Sequence, residues 1–171
     1  MPRHSTVAGA IILIWQFMDN DTFRLHVHNS IHAIRSADWN KLAGTENPFI
    51  QYEFLSALED GGAVGANSGW NVAHLALYDT SNKLFGVAPH YLKQHSYGEY
   101  IFDHSWAHAF ERAGGAYYPK SLSAIPFTPA TGPRLLVANS DAAQKITIAR
   151  GLASLAEQNQ LSSSHINFLP A

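Results

Sequence analysis

The order of apolar and polar positions divides the chain into short elements. Phe23–His28, FRLHVH, alternates in the period of a half-buried strand, and Asn29-Ser30 breaks it. A short helix is predicted over Ala37–Leu42, with Ser36 as N-cap and Gly44 past its end. Asn47-Pro48 marks a turn, and Ile50–Glu59 places Phe54, Leu55 and Leu58 at helical spacing until Gly61-Gly62 stops the pattern. Gly61–Gly69 is rich in glycine but lacks the Lys-Ser/Thr of a phosphate-binding loop, and reads as a flexible connector. Trp70–Tyr78 and Lys83–Tyr91 read as the strands of a hairpin turning over Asp79–Asn82, with Pro89 confining the second to an edge or a bulge. Leu122–Phe127 is a short strand candidate and His165–Leu169 a last one. Ala142–Gln158 is the clearest helix. Asp141 caps it with Gln144 three residues on, and Ile148, Leu152 and Leu155 form its stripe beside Ala149, Ala153 and Ala156.

The order β-α-α-β-β-β-α-β implies an α/β (α+β) protein, a mixed β-sheet with helices packed on its faces. Ahead of it, residues 1–23 form an apolar N-terminal arm, and a single domain runs over 24–171. Within the arm, Val7–Met18 is too short for a bilayer, which takes about 20 apolar residues. It reads as an extra strand or hydrophobic arm, as a membrane-associating segment, or as a signal peptide whose usual cleavage site is replaced by Asp19-Asn20-Asp21.

The run from His95 to Arg134 fits neither period. Residues 95–131 hold eight of the twenty aromatic residues, interrupted by Gly and Pro, which is the composition of a ligand groove and not of a connecting loop. Tyr100, Trp106, Tyr117 and Phe127 are its candidate substrate-groove rings, expected to converge on one concavity. Charged residues are only 14% of the chain, against roughly 25% in an average globular protein, so some apolar surface is left for ligand or further protein to cover. Net charge is −2 and no Lys/Arg cluster occurs, which removes electrostatic support for nucleic-acid binding. Without cysteine there is no disulfide, thiolate nucleophile or Cys-ligated zinc, and a cytoplasmic location fits.

Three groups carry candidate chemistry. In Tyr117-Tyr118-Pro119-Lys120, the Tyr118 hydroxyl can donate to an oxyanion or pass a proton and Lys120 can bind an anion; the alternative is aromatic packing beside a turn proline. Asp103 and His104 form an acid–base pair near a helix start, unless Asp103 is only its N-cap. His104 and His108 stand one helical turn apart, but Ser105 replaces the Glu of H-E-x-x-H and a third ligand would have to come from His95, Glu99 or Glu111, so no metal is assigned.

The strings NPFIQYEFLSALE, GVAPHYLKQHSYGEYIFD, AYYPKSLSAIPFTPATGPRLL and SSSHINFLP resemble the FemAB-like branch of the GNAT acyltransferase superfamily, the peptidoglycan biosynthesis or recognition type. The resemblance runs from about Arg24 onward. It implies a GNAT-like sheet in which two early helices precede a meander and a later helix carries acyl-CoA. Family members contain two such halves, and this chain matches the N-terminal one, which implies an incomplete domain. The activity implied is acyl or aminoacyl transfer to an amine. Acyl-CoA or an aminoacyl donor serves as co-substrate, with no tightly bound cofactor. Such transfer needs no covalent nucleophile, which suits a chain without Cys or G-x-S-x-G. The stretch corresponding to the family's pyrophosphate loop offers Thr131, Gly132 and Arg134; a tight turn with a surface arginine is the alternative. His108, in WAHA, stands where the family has an acidic residue. The second function class is a non-catalytic binding or assembly module that needs a second GNAT-like half, with homodimerisation through the last strand at a sheet edge.

Overall fold

A computed structural model describes residues 22–170 together with the backbone of Gln16–Asp19. Its elements are β1 (Gln16–Asp19), β2 (Phe23–His28), α1 (Ser36–Ala43), α2 (Tyr52–Asp60), β3 (Trp70–Val72), β4 (His74–Asp79), β5 (Leu84–Ala88), β6 (Tyr91–Lys93), α3 (His104–Arg112), β7 (Lys120–Ser123), β8 (Leu136–Val137), α4 (Ala142–Gln158) and β9 (Ser164–Ile166). The mixed α+β class expected from the pattern holds. Most of Val7–Met18 lies outside the described residues, and its end, in β1, pairs antiparallel with β2.

The described strands form two sheets, ordered β1-β2-β4-β5-β8 and β3-β6-β7-β9. Each strand of the expected hairpin therefore divides, because the ribbon passes from one sheet into the other. The break falls at Ala73 on one side and Pro89-His90 on the other. Pro89 has no N–H to give a ladder. The His90 N–H donates sideways to His74 Nδ1 at 3.2 Å, and only Ala73 N–H to His90 O, at 2.9 Å, crosses the gap. Since His74 Nδ1 accepts, its Nε2 carries the proton and donates to Glu59 Oε1 at 3.2 Å. Glu59 also accepts from Ser30 Oγ and from the Ile31 N–H, tying α2 to the switch. His90 is wholly buried, and loss of water pushes its imidazole down to about 3.

Alternation along β4 decides the layers. Leu75 and Leu77 join Leu25, Ala88 and Val137 on the face covered by Ile148, Leu152 and Leu155 of α4. Ala76, Val87 and Leu136 point the other way, against Trp39 of α1, Ile50 of the 3-10 turn before α2, and Leu55 of α2. The Trp39 ring is seated by its Nε1–H donating to Ile50 O at 2.8 Å. On β5, Gly86 is required by close approach: a Cβ there would lie 2.8 Å from Ile148 Cδ1 and 2.9 Å from Val137 Cγ1.

The expected cap of α4 is present, with Asp141 accepting from the Gln144 N–H at 3.0 Å. At α1 it is not: Ser36 lies inside the helix, Arg35 holds the cap position without a side-chain bond, and Gly44 ends the helix at φ +69°. The strand expected over Leu122–Phe127 begins two residues earlier and ends at Ser123, and the last strand is Ser164–Ile166, at the edge of its sheet as expected.

Candidate functional site

The register of the smaller sheet builds the site. β3 pairs Trp70 with Lys93, and β6 pairs Lys93 with Lys120. Two lysines thus stand directly opposite each other on adjacent antiparallel strands, both fully buried. Like charges so placed repel at a Cβ separation of about 5 Å, so the arrangement needs anions above it. The segment between β6 and α3 supplies them by folding back over the sheet, turning at Gly98 with φ +78°.

Lys120 Nζ donates to Asp103 Oδ2 at 2.7 Å and to Ser96 Oγ at 2.9 Å, and lies 3.0 Å from Glu99 Oε2. Tyr117 OH donates to Asp103 Oδ2 at 2.9 Å, and Tyr118 OH lies 2.8 Å from Ser96 Oγ. Lys93 Nζ is 3.9 Å from Glu99 Oε1, beyond hydrogen-bond reach, and donates to Tyr97 O at 3.3 Å while sitting 3.6 Å from the centroid of the Trp70 ring.

These surroundings set the protonation states. Burial opposes the charge on Asp103, but hydrogen bonds from Lys120, Ser96 and Tyr117 overcome it and hold the carboxyl at about 2. Burial likewise opposes the Lys120 cation, and its bonds to Asp103 and Glu99 raise it above the ordinary lysine value. Burial dominates at Lys93; Glu99 offsets part of it, Lys120 adds to it, and the ammonium is pushed down to about 7. The Trp70 face favours the cation, yet loss of water around the whole side chain is the larger effect. Glu99 shifts upward, burial outweighing its contacts with Lys120. Tyr117 is pushed up to about 12 by burial and by its bond to Asp103.

Aromatic rings surround this cluster. The Tyr97 carbonyl accepts from Trp70 Nε1 at 3.0 Å, and the Tyr97 ring contacts His95 and His104 at 5.0 and 5.8 Å. Phe127 tilts over Trp70 at 5.6 Å, and Tyr117 meets Tyr118 edge-on at 5.0 Å. Phe102 and Trp106 leave 88% and 76% of their surface exposed, so the ring surface beside the cluster is open to a ligand or partner.

Tyr117, Tyr118, Lys120 and Asp103, singled out from sequence, come together here. His104, the first residue of α3, is exposed at the rim against Tyr97. Tyr100 and Trp106 project to solvent, while Phe127 joins through Trp70. Thr131 is exposed. The Gly132 N–H donates to Phe168 O at 2.9 Å. Arg134 is fully buried and no surface arginine; its guanidinium donates to the carbonyls of Ala130, Gly132 and Pro133 and so fastens its own loop. Lys93, Ser96, Glu99 and Trp70 were not assigned to the site from sequence. Parity carried a signal for one of them: Lys93 shares a face of its strand with Tyr91, as Lys120 does with Leu122.

Among the described residues no three His, Asp or Glu side chains are grouped to hold a metal ion, and no helix is long and apolar enough to cross a membrane. The fold and site define a mixed α+β protein with a buried lysine–carboxylate cluster under an aromatic surface. The chain belongs to the FemAB-like family of peptidoglycan biosynthesis/recognition, whose model matches residues 30–171. No curated protein and no solved structure matches it.

Proposed function

We propose that the chain is an acyl- or aminoacyl-transferase of FemAB-like, GNAT type, acting on an amine of a peptidoglycan-related acceptor, with the Lys120 cluster as its chemical centre. One observation carries this reading. A hydrogen-bonded run from Tyr118 OH through Ser96 Oγ to Lys120 Nζ and the carboxylates of Asp103 and Glu99 opens at half-buried Tyr118 and ends inside the protein. The acceptor nitrogen attacks the donor carbonyl, Tyr118 donates to the oxygen on which charge develops, and the donor's C–S or C–O bond breaks. Lys120, held as a cation, donates to Ser96 Oγ, Ser96 turns its hydrogen to Tyr118, and the amine proton passes to the departing sulfur or oxygen. The donor is acyl-CoA or an aminoacyl ester, and of the expected phosphate-turn residues Thr131, Gly132 and Arg134, Thr131 is the exposed one.

A second reading, a non-catalytic binding or assembly module, is favoured by the internal pairing of the cluster and by the commitment of Arg134 to carbonyls. The two separate in one experiment. The protein is incubated with labelled acetyl-CoA or an activated alanyl ester and a peptidoglycan-precursor peptide bearing a free amine. Transfer is expected, lowered by about tenfold to a hundredfold in Tyr118→Phe, with the melting temperature raised by acetyl-CoA. A folded protein that binds the peptide but neither binds nor transfers an acyl donor is the binding module.

A further inference from the structure

A second candidate site lies far from the lysine row. β4 and β5 run away from the sheet switch to their own turn, and there the end of the hairpin faces α1 across a cleft of about 360 Å³. That volume is at the small end of ligand pockets. Ile34, Leu42, Leu84 and Phe85 give it an apolar lining. Its charged residues are Arg35, Asp38, Lys41 and Lys83. Arg35 and Asp38 pair with each other at 2.7 Å and cancel. Among the described residues neither Lys41 nor Lys83 has a carboxylate partner, which leaves a net charge of two positives around an apolar floor. Lys83 lies across that floor, its Nζ 5.0 Å from the centre of the Phe85 ring.

The turn that carries Lys83 is fixed. Asp79 Oδ1 accepts from the Ser81 N–H, the Ser81 hydroxyl and the Lys83 N–H at 2.8, 2.7 and 2.9 Å. Arg24 Nη2 donates to the carbonyls of Asp79 and Thr80 and to Asn82 Oδ1 at 3.0 Å. Because an arginine can only donate, Asn82 Oδ1 is the accepting atom, and the Nδ2 group of this cleft-lining residue remains available as a donor. Donors held in place before a ligand arrives lose little freedom on binding.

We infer that this cleft binds a small amphiphilic dianion, a phosphate monoester on a short apolar tail. Lys41, Lys83 and Asn82 hold the phosphate, and Leu42, Leu84 and Phe85 cover the tail. The pair of lysines matches the charge of a phosphate monoester; the carboxylate nearest in the turn, Asp79, spends its Oδ1 on the Ser81 N–H, the Ser81 hydroxyl and the Lys83 N–H. The site stands apart from the acyl-transfer reading and its test does not depend on that activity.

Calorimetric titration of the full chain with octyl phosphate tests it, with inorganic phosphate and octanol as separate probes. Saturable binding of octyl phosphate is expected, weakened at least about tenfold in Lys41→Glu and again in Lys83→Glu. Both lysines are exposed, so the variants keep the fold, checked by circular dichroism. Equal affinity for inorganic phosphate would remove the apolar lining from the site. Equal affinity for octanol, or unchanged affinity in both variants, would remove the lysines. Capture by phosphatidylglycerol vesicles without binding of octyl phosphate would overturn the pocket in favour of a membrane surface, and no binding to a folded protein would overturn it outright.

Discussion

Lys93 and Lys120 face each other on neighbouring strands, and each is held by different means. Lys120 is the shared partner of Asp103 and Glu99, so Lys120→Met leaves two buried carboxylates without a hydrogen-bonded cation. A loss of about 3–5 kcal/mol in urea denaturation is expected. Lys93 is too far from Glu99 for a hydrogen bond, and Glu99 keeps Lys120 when it is gone. Lys93→Met is therefore expected to raise stability at pH 7 by about 1–2 kcal/mol, removing a like charge opposite Lys120. A destabilised Lys93→Met would show that the Trp70 contact outweighs burial. Asp103 gives the acid limb. Its folded carboxyl titrates at about 2, below the unfolded value, so its stabilisation is complete above the unfolded value and is lost as pH falls through 2. Between about pH 4 and pH 2, Asp103→Asn should lose less stability than the wild type, and equal slopes would remove Asp103 from the acid transition.

Among the elements, α4 was fully legible because cap, stripe and length agree, and because its partners are local in type. The β4–β5 hairpin was legible as two apolar runs but not as four strands. Alternation continues through Ala73 and His90, and only the absent Pro89 donor marks the change of sheet. The loop after β6 was legible in what it lacks: an aperiodic, aromatic segment that proved to lie over the site. Glu99 and Ser96 could not be assigned, since nothing local shows that a loop acid will reach a lysine twenty-one residues later on another strand. Arg134 misled for the opposite reason: its partners are local, the carbonyls of its own turn, and residue type does not show that a guanidinium will be spent on them. Packing of α4 on β5 makes a specific demand at Gly86. Gly86→Ala is expected to cost about 1–3 kcal/mol through its collision with Ile148 and Val137, read as a lower denaturation midpoint at unchanged slope. Ile148→Val should recover part of the loss, and no recovery would place the strain elsewhere.

At the scale of the whole molecule, two features invite association. β9 is an edge strand, but it is three residues long with Ser164 exposed, a poor template for pairing. The aromatic surface is larger, with Phe102 and Trp106 mostly in water. Light scattering should therefore show self-association that falls in Phe102→Ser/Trp106→Ser and persists in Ser164→Lys; the reverse result would place the contact at β9. The same surface borders the lysine cluster, which makes ligand binding there the claim on which the account rests. Chemical-shift mapping of the isotope-labelled chain with acetyl-CoA tests it most directly. Saturable shifts concentrated in residues 95–104 and 117–120 are expected. Saturable shifts confined to other parts of the chain, or none in a folded protein, would contradict it.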